Sequence, residues 1–233
     1  MEVVRVEFKY SVPENVAAWA LQWSGVFLQR DRGLAGPQQV TSLYLDTPSL
    51  TFFRWHREQR PDRFKLRIRG YGDGNRDCVW AEIKRKAGLV VFKNRAPLAI
   101  SALDSVLRGA APSSDLEEFV KRRQAFNAGP KLLLTCERDA LREQGAFGET
   151  AVTVDRRIRY QATLRHDLVD DPCLWRAVRL PSPVSPAVAI VEIKYMHRAP
   201  AWMTTLMLRL APYRVGFSKY RSAMQQHNRR VAS

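Results

Sequence analysis

Phe64-Lys65-Leu66-Arg67-Ile68-Arg69 alternates apolar and cationic residues without a break. A period of two is the signature of a β-strand, because successive side chains point to opposite faces. Phe64, Leu66 and Ile68 form one face, and Lys65, Arg67 and Arg69 form the other. A turn-rich segment follows, with Gly70, Gly72, Asp73, Gly74 and Asn75. The alternation then resumes, setting Val79, Ala81 and Ile83 against Trp80, Glu82 and Lys84, so the two stretches read as a β-hairpin.

The same pattern spreads outward from this hairpin. Upstream, Val4, Val6, Phe8 and Tyr10 oppose Arg5, Glu7 and Lys9. Residues 38–46 read as a strand that stops at Asp46-Thr47-Pro48, where Asp46 has the position of a turn or cap residue. A short helix or turn with Phe52, Phe53 and Trp55 follows. Downstream, Val91, Lys93 and Arg95 share one strand face after Gly88. Strands are expected at about 131–143 and 150–159, joined by a turn from Gly145 to Gly148. Another, at 188–195, sets Ile190, Glu192 and Lys194 against Ala189, Val191 and Ile193. Helical spacing marks Val16, Trp19, Ala20, Trp23 and Phe27, then residues 101–127, and then Trp202, Leu206 and Leu210 after Pro200. Ser114 and Glu117 have capping-box spacing. Pro172, Pro181, Pro183 and Pro186 mark a loop, Gly216-Phe217-Ser218-Lys219-Tyr220 reads as a short strand or turn, and a basic helix or tail ends the chain.

At 233 residues and 45% hydrophobic composition the chain can bury a core as one domain, read as 1–228 with a basic tail at 229–233. No apolar run is long enough to span a bilayer and the first residues lack an apolar signal core, so a cytoplasmic protein is expected. Cys78, Cys136 and Cys173 have neither disulfide nor zinc spacing and read as reduced, buried thiols. His56, His166, His197 and His227 show no ligand spacing and read as surface residues. The formal charge of +15 calls for a polyanionic partner.

Where the charges sit narrows that partner. One charged strand face is ordinarily a solvated one, but here the pattern recurs around Lys9, Arg67, Glu82, Lys93 and Glu192. The helices carry apolar stripes that need the apolar strand faces. The charged faces are left turned away from them, and an antiparallel sheet closed on itself would put them inside a barrel and remove its open edges. Cations crowded inside need a counter-anion, and a phosphate chain, whose oxygens match Arg forks, suits them. Glutamates among them would pair with cations or hold Mg²⁺ or Mn²⁺. No aromatic stacking platform for nucleic acid is visible, so none is expected as a partner.

These motifs together resemble the polyphosphate polymerase domain of the vacuolar transporter chaperone (VTC) family, within the triphosphate tunnel metalloenzymes. The likeness rests on Glu7-Phe8-Lys9-Tyr10, Ser42-Leu43-Tyr44-Leu45-Asp46, Lys65-Leu66-Arg67-Ile68-Arg69, Glu82-Ile83-Lys84 and Lys93-Asn94-Arg95. It continues through Arg138, Val154-Asp155, Val191-Glu192-Ile193-Lys194-Tyr195, Pro200-Ala201-Trp202 and Phe217-Ser218-Lys219-Tyr220. It implies an α+β fold: a closed, eight-stranded antiparallel β tunnel of CYTH type with helices packed outside. It also implies metal-dependent transfer of the ATP γ-phosphate to a growing polyphosphate chain. Arg67, Arg69, Lys84 and Lys93 take the catalytic positions. Lys9, Arg95, Arg138, Lys194 and Lys219 match phosphate-binding positions. Glu192 matches the metal carboxylate, with Glu7, Glu82 and Asp155 as further metal candidates, and the cofactor would be Mn²⁺ or Mg²⁺. ATP and polyphosphate are the expected partners, with room for a membrane partner protein. The triphosphatase branch begins with a Glu-x-Glu-x-Lys triplet, and here the first acid is replaced, giving Arg5-x-Glu7-x-Lys9. That favours polymerase over tripolyphosphatase or nucleoside triphosphatase, and a non-catalytic polyphosphate-binding module is the remaining alternative.

Overall fold

The computed structural model describes residues 5–31, 36–72, 77–88, 90–145 and 148–232. Positions 73–75 of the expected hairpin turn and 146–147 of the expected second turn lie outside them. The elements are β1 (Arg5–Val12), α1 (Glu14–Gly25), β2 (Gln29–Arg30), β3 (Gln38–Asp46), α2 (Thr51–Arg57), β4 (Asp62–Tyr71), β5 (Cys78–Ala87) and β6 (Val90–Ala99). They continue with α3 (Leu103–Arg108), α4 (Ser114–Ala125), β7 (Gly129–Gly145), β8 (Gly148–Ala162), β9 (Arg176–Ala177), β10 (Ala189–Met196), α5 (Ala201–Leu210) and α6 (Lys219–Val231).

The hydrogen-bonded strand order is β1-β10-β8-β7-β3-β4-β5-β6, with β2 on β7 and β9 on β8. The main path has the expected eight strands, and the class is α+β. No ladder joins β1 to β6 among the described residues, so the hydrogen bonding is open where a closed ladder was expected. The reason lies at the outer edge of β1. Tyr10 bridges Arg214 there, and the Val215 N–H donates to the Lys9 carbonyl at 2.9 Å.

The chain divides into two compact units. The first takes Met1–Gln38, Cys136–Ile158 and Arg179–Ser218. Its core packs Tyr10 and Val12 of β1, Val152 and Val154 of β8, and Val191 and Ile193 of β10 against α1 and against Met203, Leu206 and Leu210 of α5. The second takes Gln39–Thr135, Arg159–Val178 and Lys219–Ser233. Its core packs Leu43 and Leu45 of β3, Leu66 and Ile68 of β4 and Val79, Ala81 and Ile83 of β5 against Phe52, Val106, Leu116 and Phe119. In both units the apolar strand faces are the covered ones. The alternation in the sequence is therefore a sorting of core from charge.

Five local expectations are corrected. The helical span 101–127 is two helices, α3 and α4, broken where Gly109 takes φ 118°, a conformation favourable only to glycine. The Ser114/Glu117 capping box is absent: Ser113 is the N-cap residue, with no side-chain cap bond, and Glu117 pairs with Lys121 at 2.8 Å instead. Of the three thiols only Cys136 is buried, while Cys78 and Cys173 are exposed. His56 is half-buried rather than on the surface, held at 3.2 Å from the Phe64 carbonyl. Lys219 opens α6 rather than lying in a short strand or turn, and α6 carries Arg229 and Arg230 in its last turn. Among the described residues no helix is long and apolar enough to cross a membrane.

Candidate functional site

In the second unit the charged face predicted for β4 and β5 extends in register across three strands. Arg67 lies opposite Glu82, and Glu82 opposite Arg95; Lys65 lies opposite Lys84, and Lys84 opposite Lys93. Like charges directly opposite destabilise a sheet, and an anion bound beside the lysine rung would relieve that repulsion. Glu82 is only 1% exposed. Its carboxylate accepts from Arg67 Nε at 2.6 Å and lies 3.1 Å from Lys93 Nζ and 3.3 Å from Arg95 Nε. Burial pushes this carboxyl up, but Arg67, Arg69 and Lys93 outweigh burial and hold it well below the usual carboxylate range. Burial pulls Arg67 down, while Tyr44 and Glu82 more than restore it and keep it charged.

Arg67, Arg69 and Arg95 are braced further. Arg67 Nη1 donates to the Tyr44 hydroxyl at 3.1 Å, and Arg69 Nε donates to Ser42 Oγ at 3.1 Å. Arg95 stacks its guanidinium 3.7 Å over the Trp80 ring and 5.4 Å from Tyr71. Its buried Nη2 has no hydrogen-bond acceptor, which leaves an N–H of a fixed fork for an incoming oxygen. Lys219, at the start of α6, acts electrostatically on Tyr44; with Arg67 and Arg69 it lowers the Tyr44 phenol although burial raises it. Ser42 and Tyr44 belong to a motif quoted above but carry no assigned role there, and Tyr71 is not marked by the sequence at all. The signal for two of them was there: Ser42, Tyr44 and Asp46 alternate onto one face of β3, and register then sets Ser42 against Arg69 and Tyr44 against Arg67.

Asp46 is a capping residue, as its sequence position suggests. Its carboxylate accepts from the backbone N–H groups of Thr47, Phe52 and Phe53, at 2.7, 2.9 and 2.8 Å, at the start of α2. It also accepts from the Tyr220 hydroxyl at 2.5 Å, which anchors α6.

The first unit carries a cluster of a different kind. Glu7, Lys9, Glu192 and Lys194 sit on adjacent rungs of β1 and β10. Lys9 Nζ lies 2.9 Å from Glu7 and donates to the Phe217 carbonyl at 3.1 Å, and Lys194 Nζ lies 3.1 Å from Glu192. Arg138 grips Asp155 bidentately at 2.6 and 2.8 Å, and the Cys136 thiol lies 3.7 Å from the same carboxylate. Burial pushes the Glu192 carboxyl up, but Lys194, Lys9, a hydrogen bond from Glu7 and Arg138 bring it well below the usual range. In this cluster carboxylates match cations, whereas on the β4–β5–β6 face cations far outnumber the single acid.

The metal candidates separate on this geometry. Glu82 is ringed by cations and Asp155 has both oxygens engaged by Arg138, so neither offers oxygens to a divalent cation. Glu7 and Glu192 are in side-chain hydrogen-bond contact. Two carboxyl groups so close share a proton or take a cation between them, and this pair fits Mn²⁺ or Mg²⁺, which commonly takes one or two carboxylates and completes its shell with substrate phosphates and water. Among the described residues no group of three or more acidic, His or Cys side chains could hold a metal by itself.

An antiparallel α+β domain with one strongly cationic sheet face and one charge-balanced, carboxylate-bearing face is the class these observations define. The sequence profile of the VTC domain family matches residues 4–228, and the chain belongs to that family. No curated protein matches the sequence. Among solved structures, it is similar to a candidate adenylate cyclase from Vibrio parahaemolyticus, at 13% identity and TM-score 0.48, covering 97% of this chain and 99% of that one. It is also similar to a conserved hypothetical protein from Pyrococcus furiosus, at 13% identity and TM-score 0.40, covering 89% and 88%. Likenesses this distant carry no weight for fold or function.

Proposed function

We propose that the chain is a polyphosphate polymerase, transferring the γ-phosphate of ATP to the end of a growing polyphosphate chain with the help of Mn²⁺ or Mg²⁺. The observation that carries this reading is the β4–β5–β6 face, where buried Glu82 fixes Arg67, Lys93 and Arg95 beside Arg69 and Lys84. Phosphoryl transfer needs little covalent help from a protein. It needs positioning, and positive charge where negative charge develops on the phosphoryl oxygens. Preset cations meet that need without reorganising during the reaction.

In this reading a terminal oxygen of the polyphosphate chain attacks the γ-phosphorus as the bond to the β–γ bridging oxygen breaks, and ADP leaves with the bond's electron pair. Arg67 and Arg69 hold the transferring phosphoryl oxygens, and Lys84 and Lys93 neutralise the nucleotide phosphates. Arg95, Lys9, Arg138, Lys194 and Lys219 grip further phosphates. Glu7 and Glu192 would hold the metal, which would supply Lewis-acid stabilisation of the negative charge on phosphate oxygens. A cytoplasmic location with a membrane partner protein belongs to the same proposal.

Incubation with ATP and Mn²⁺, with products resolved by length, tests it. The expected outcome is ADP plus a ladder of phosphate chains, lost in an Arg67→Ala/Arg69→Ala variant. Orthophosphate without chains would overturn the polymerase reading in favour of a triphosphatase.

A further inference from the structure

Among the described residues of the first unit, Ser11 and Thr153 are buried residues whose side-chain hydroxyls have no partner. Ser11 on β1 is 0% exposed and Thr153 on β8 is 6% exposed, and Ser11 Oγ and Thr153 Oγ1 make no hydrogen bond. Their positions are not random. Thr153 lies directly opposite Glu192, which lies directly opposite Lys9. Directly opposed residues share a sheet face, with Cβ atoms about 5 Å apart. Ser11 is two residues beyond Lys9 on the same strand and so shares its face. Both hydroxyls therefore belong to the charged face of β1, β10 and β8, not to the apolar face that packs on α1 and α5.

The charged groups around them do not need them. Lys194 is paired with Glu192, Lys9 with Glu7 and the Phe217 carbonyl, and Arg138 with Asp155. A buried polar group left unpaired destabilises a fold, and most such groups find partners. A β-branched apolar side chain would fill position 153 equally well as a strand residue. Hydroxyls kept where every neighbour is already matched call for an acceptor from outside the chain. Next to a carboxylate suited to a divalent cation and to Lys9, that acceptor is a phosphate oxygen, since a hydroxyl can donate to an anion without adding charge to a balanced cluster.

We propose that Thr153 and Ser11 donate hydrogen bonds to an inorganic phosphate chain bound beside Glu192. This rests on the polyphosphate reading above and adds two neutral contacts to its cationic ones. They would orient the chain rather than attract it.

Titration calorimetry of the full chain with sodium tripolyphosphate in the presence of Mn²⁺, run beside thermal melts, tests the assignment. Thr153→Val should weaken tripolyphosphate binding about tenfold, the usual loss for a hydrogen bond to a charged group, while the melting temperature holds or rises because an unpartnered hydroxyl is gone. Thr153→Ser should bind within about twofold of the parent, and Ser11→Ala should show a smaller loss of binding with no loss of melting temperature. Parent-like binding by Thr153→Val would overturn the proposal, as would a loss shared equally by Thr153→Ser. A parent protein that makes no chains from ATP, yet loses tripolyphosphate affinity in Thr153→Val alone, would overturn the polymerase reading and uphold this one.

Discussion

Glu82 and Glu192 stand in the same tripeptide, Glu82-Ile83-Lys84 and Glu192-Ile193-Lys194, and yet have different surroundings. Their sequence neighbours are alike and their strand partners are not. Glu82 faces Arg67 and Arg95, whereas Glu192 faces Lys9 and Thr153. The alternation shows that both acids lie on charged faces, but cross-strand register is a long-range property and decides that one is a brace and the other a metal candidate. At position 82, Glu82→Gln should cost about 3 kcal/mol in urea unfolding, because it strands buried cations rather than merely removing a contact. Tripolyphosphate should then raise the melting temperature of the variant more than that of the parent, by replacing the missing negative charge. Equal shifts in both would refute the bracing role. His56 gives a second residue-scale outcome. Burial, reinforced by Lys65, Arg63 and Arg221, lowers its imidazole to about 2. In the unfolded chain it titrates near its ordinary value of about 6.5. Between those values the unfolded state binds the proton that the folded state refuses, so stability falls as pH drops below about 6.5. From pH 6.5 to 5, above the ordinary carboxylate range, His56→Gln should lose a slope that approaches about 1.4 kcal/mol per pH unit. Its side-chain amide can still donate to the Phe64 carbonyl.

At the scale of elements, strands were far more legible than helix boundaries. Each strand with a strict apolar–charged alternation exists, because that pattern is fixed by which face meets the core. The break between α3 and α4 is not legible in the sequence, because apolar residues keep helical spacing on both sides of Gly109, whose left-handed backbone ends α3. The two-residue strands β2 and β9 have no periodicity to read. The start of α6 reads as a strand or turn in the sequence, since Phe217 and Tyr220 look like strand residues, whereas Tyr220, Ala223 and Met224 are buried along one helical stripe. Asp46 ties two of these elements together, accepting from three backbone N–H groups of the Thr47–α2 segment and from the Tyr220 hydroxyl of α6. Tyr220→Phe removes only the last of these bonds. It should cost about 1–3 kcal/mol, as expected when a buried carboxylate loses a donor, and hydrogen exchange should quicken across α6 with β4 and β5 unchanged. Asp46→Ala removes all four bonds, so it should also quicken exchange at Phe52 and Phe53. Uniform quickening in Tyr220→Phe would show that α6 does not open separately.

For the molecule as a whole, the +15 charge left nucleic acid, membrane and phosphate chains all open as polyanionic partners. The structure localises part of the surplus. Lys65, Arg67, Arg69, Lys84, Lys93 and Arg95 share one face with the single acid Glu82, while Glu7, Glu192 and Asp155 match Lys9, Lys194 and Arg138 in the other unit. A ligand that engages the cationic face must displace the counterions condensed on a dense polyanion, and the affinity for such a ligand falls steeply as salt rises. If six cations meet six phosphates, affinity for a long polyphosphate chain should drop at least about a hundredfold from about 50 to about 200 mM salt, following the behaviour of single-stranded nucleic acids. ATP, with fewer charges, should lose far less. Replacing Lys65 with Gln should flatten the polyphosphate slope by close to one cation's worth, because Lys65 faces Lys84 directly and shares its anion. Replacing Arg229, exposed in the last turn of α6, should leave the slope unchanged. Fluorescence titrations of labelled polyphosphate at four salt concentrations would read both slopes. A slope no steeper than that of ATP, or one that Arg229 replacement flattens as much as Lys65 replacement does, would mean that diffuse surface charge rather than the β4–β5–β6 face attracts the chain.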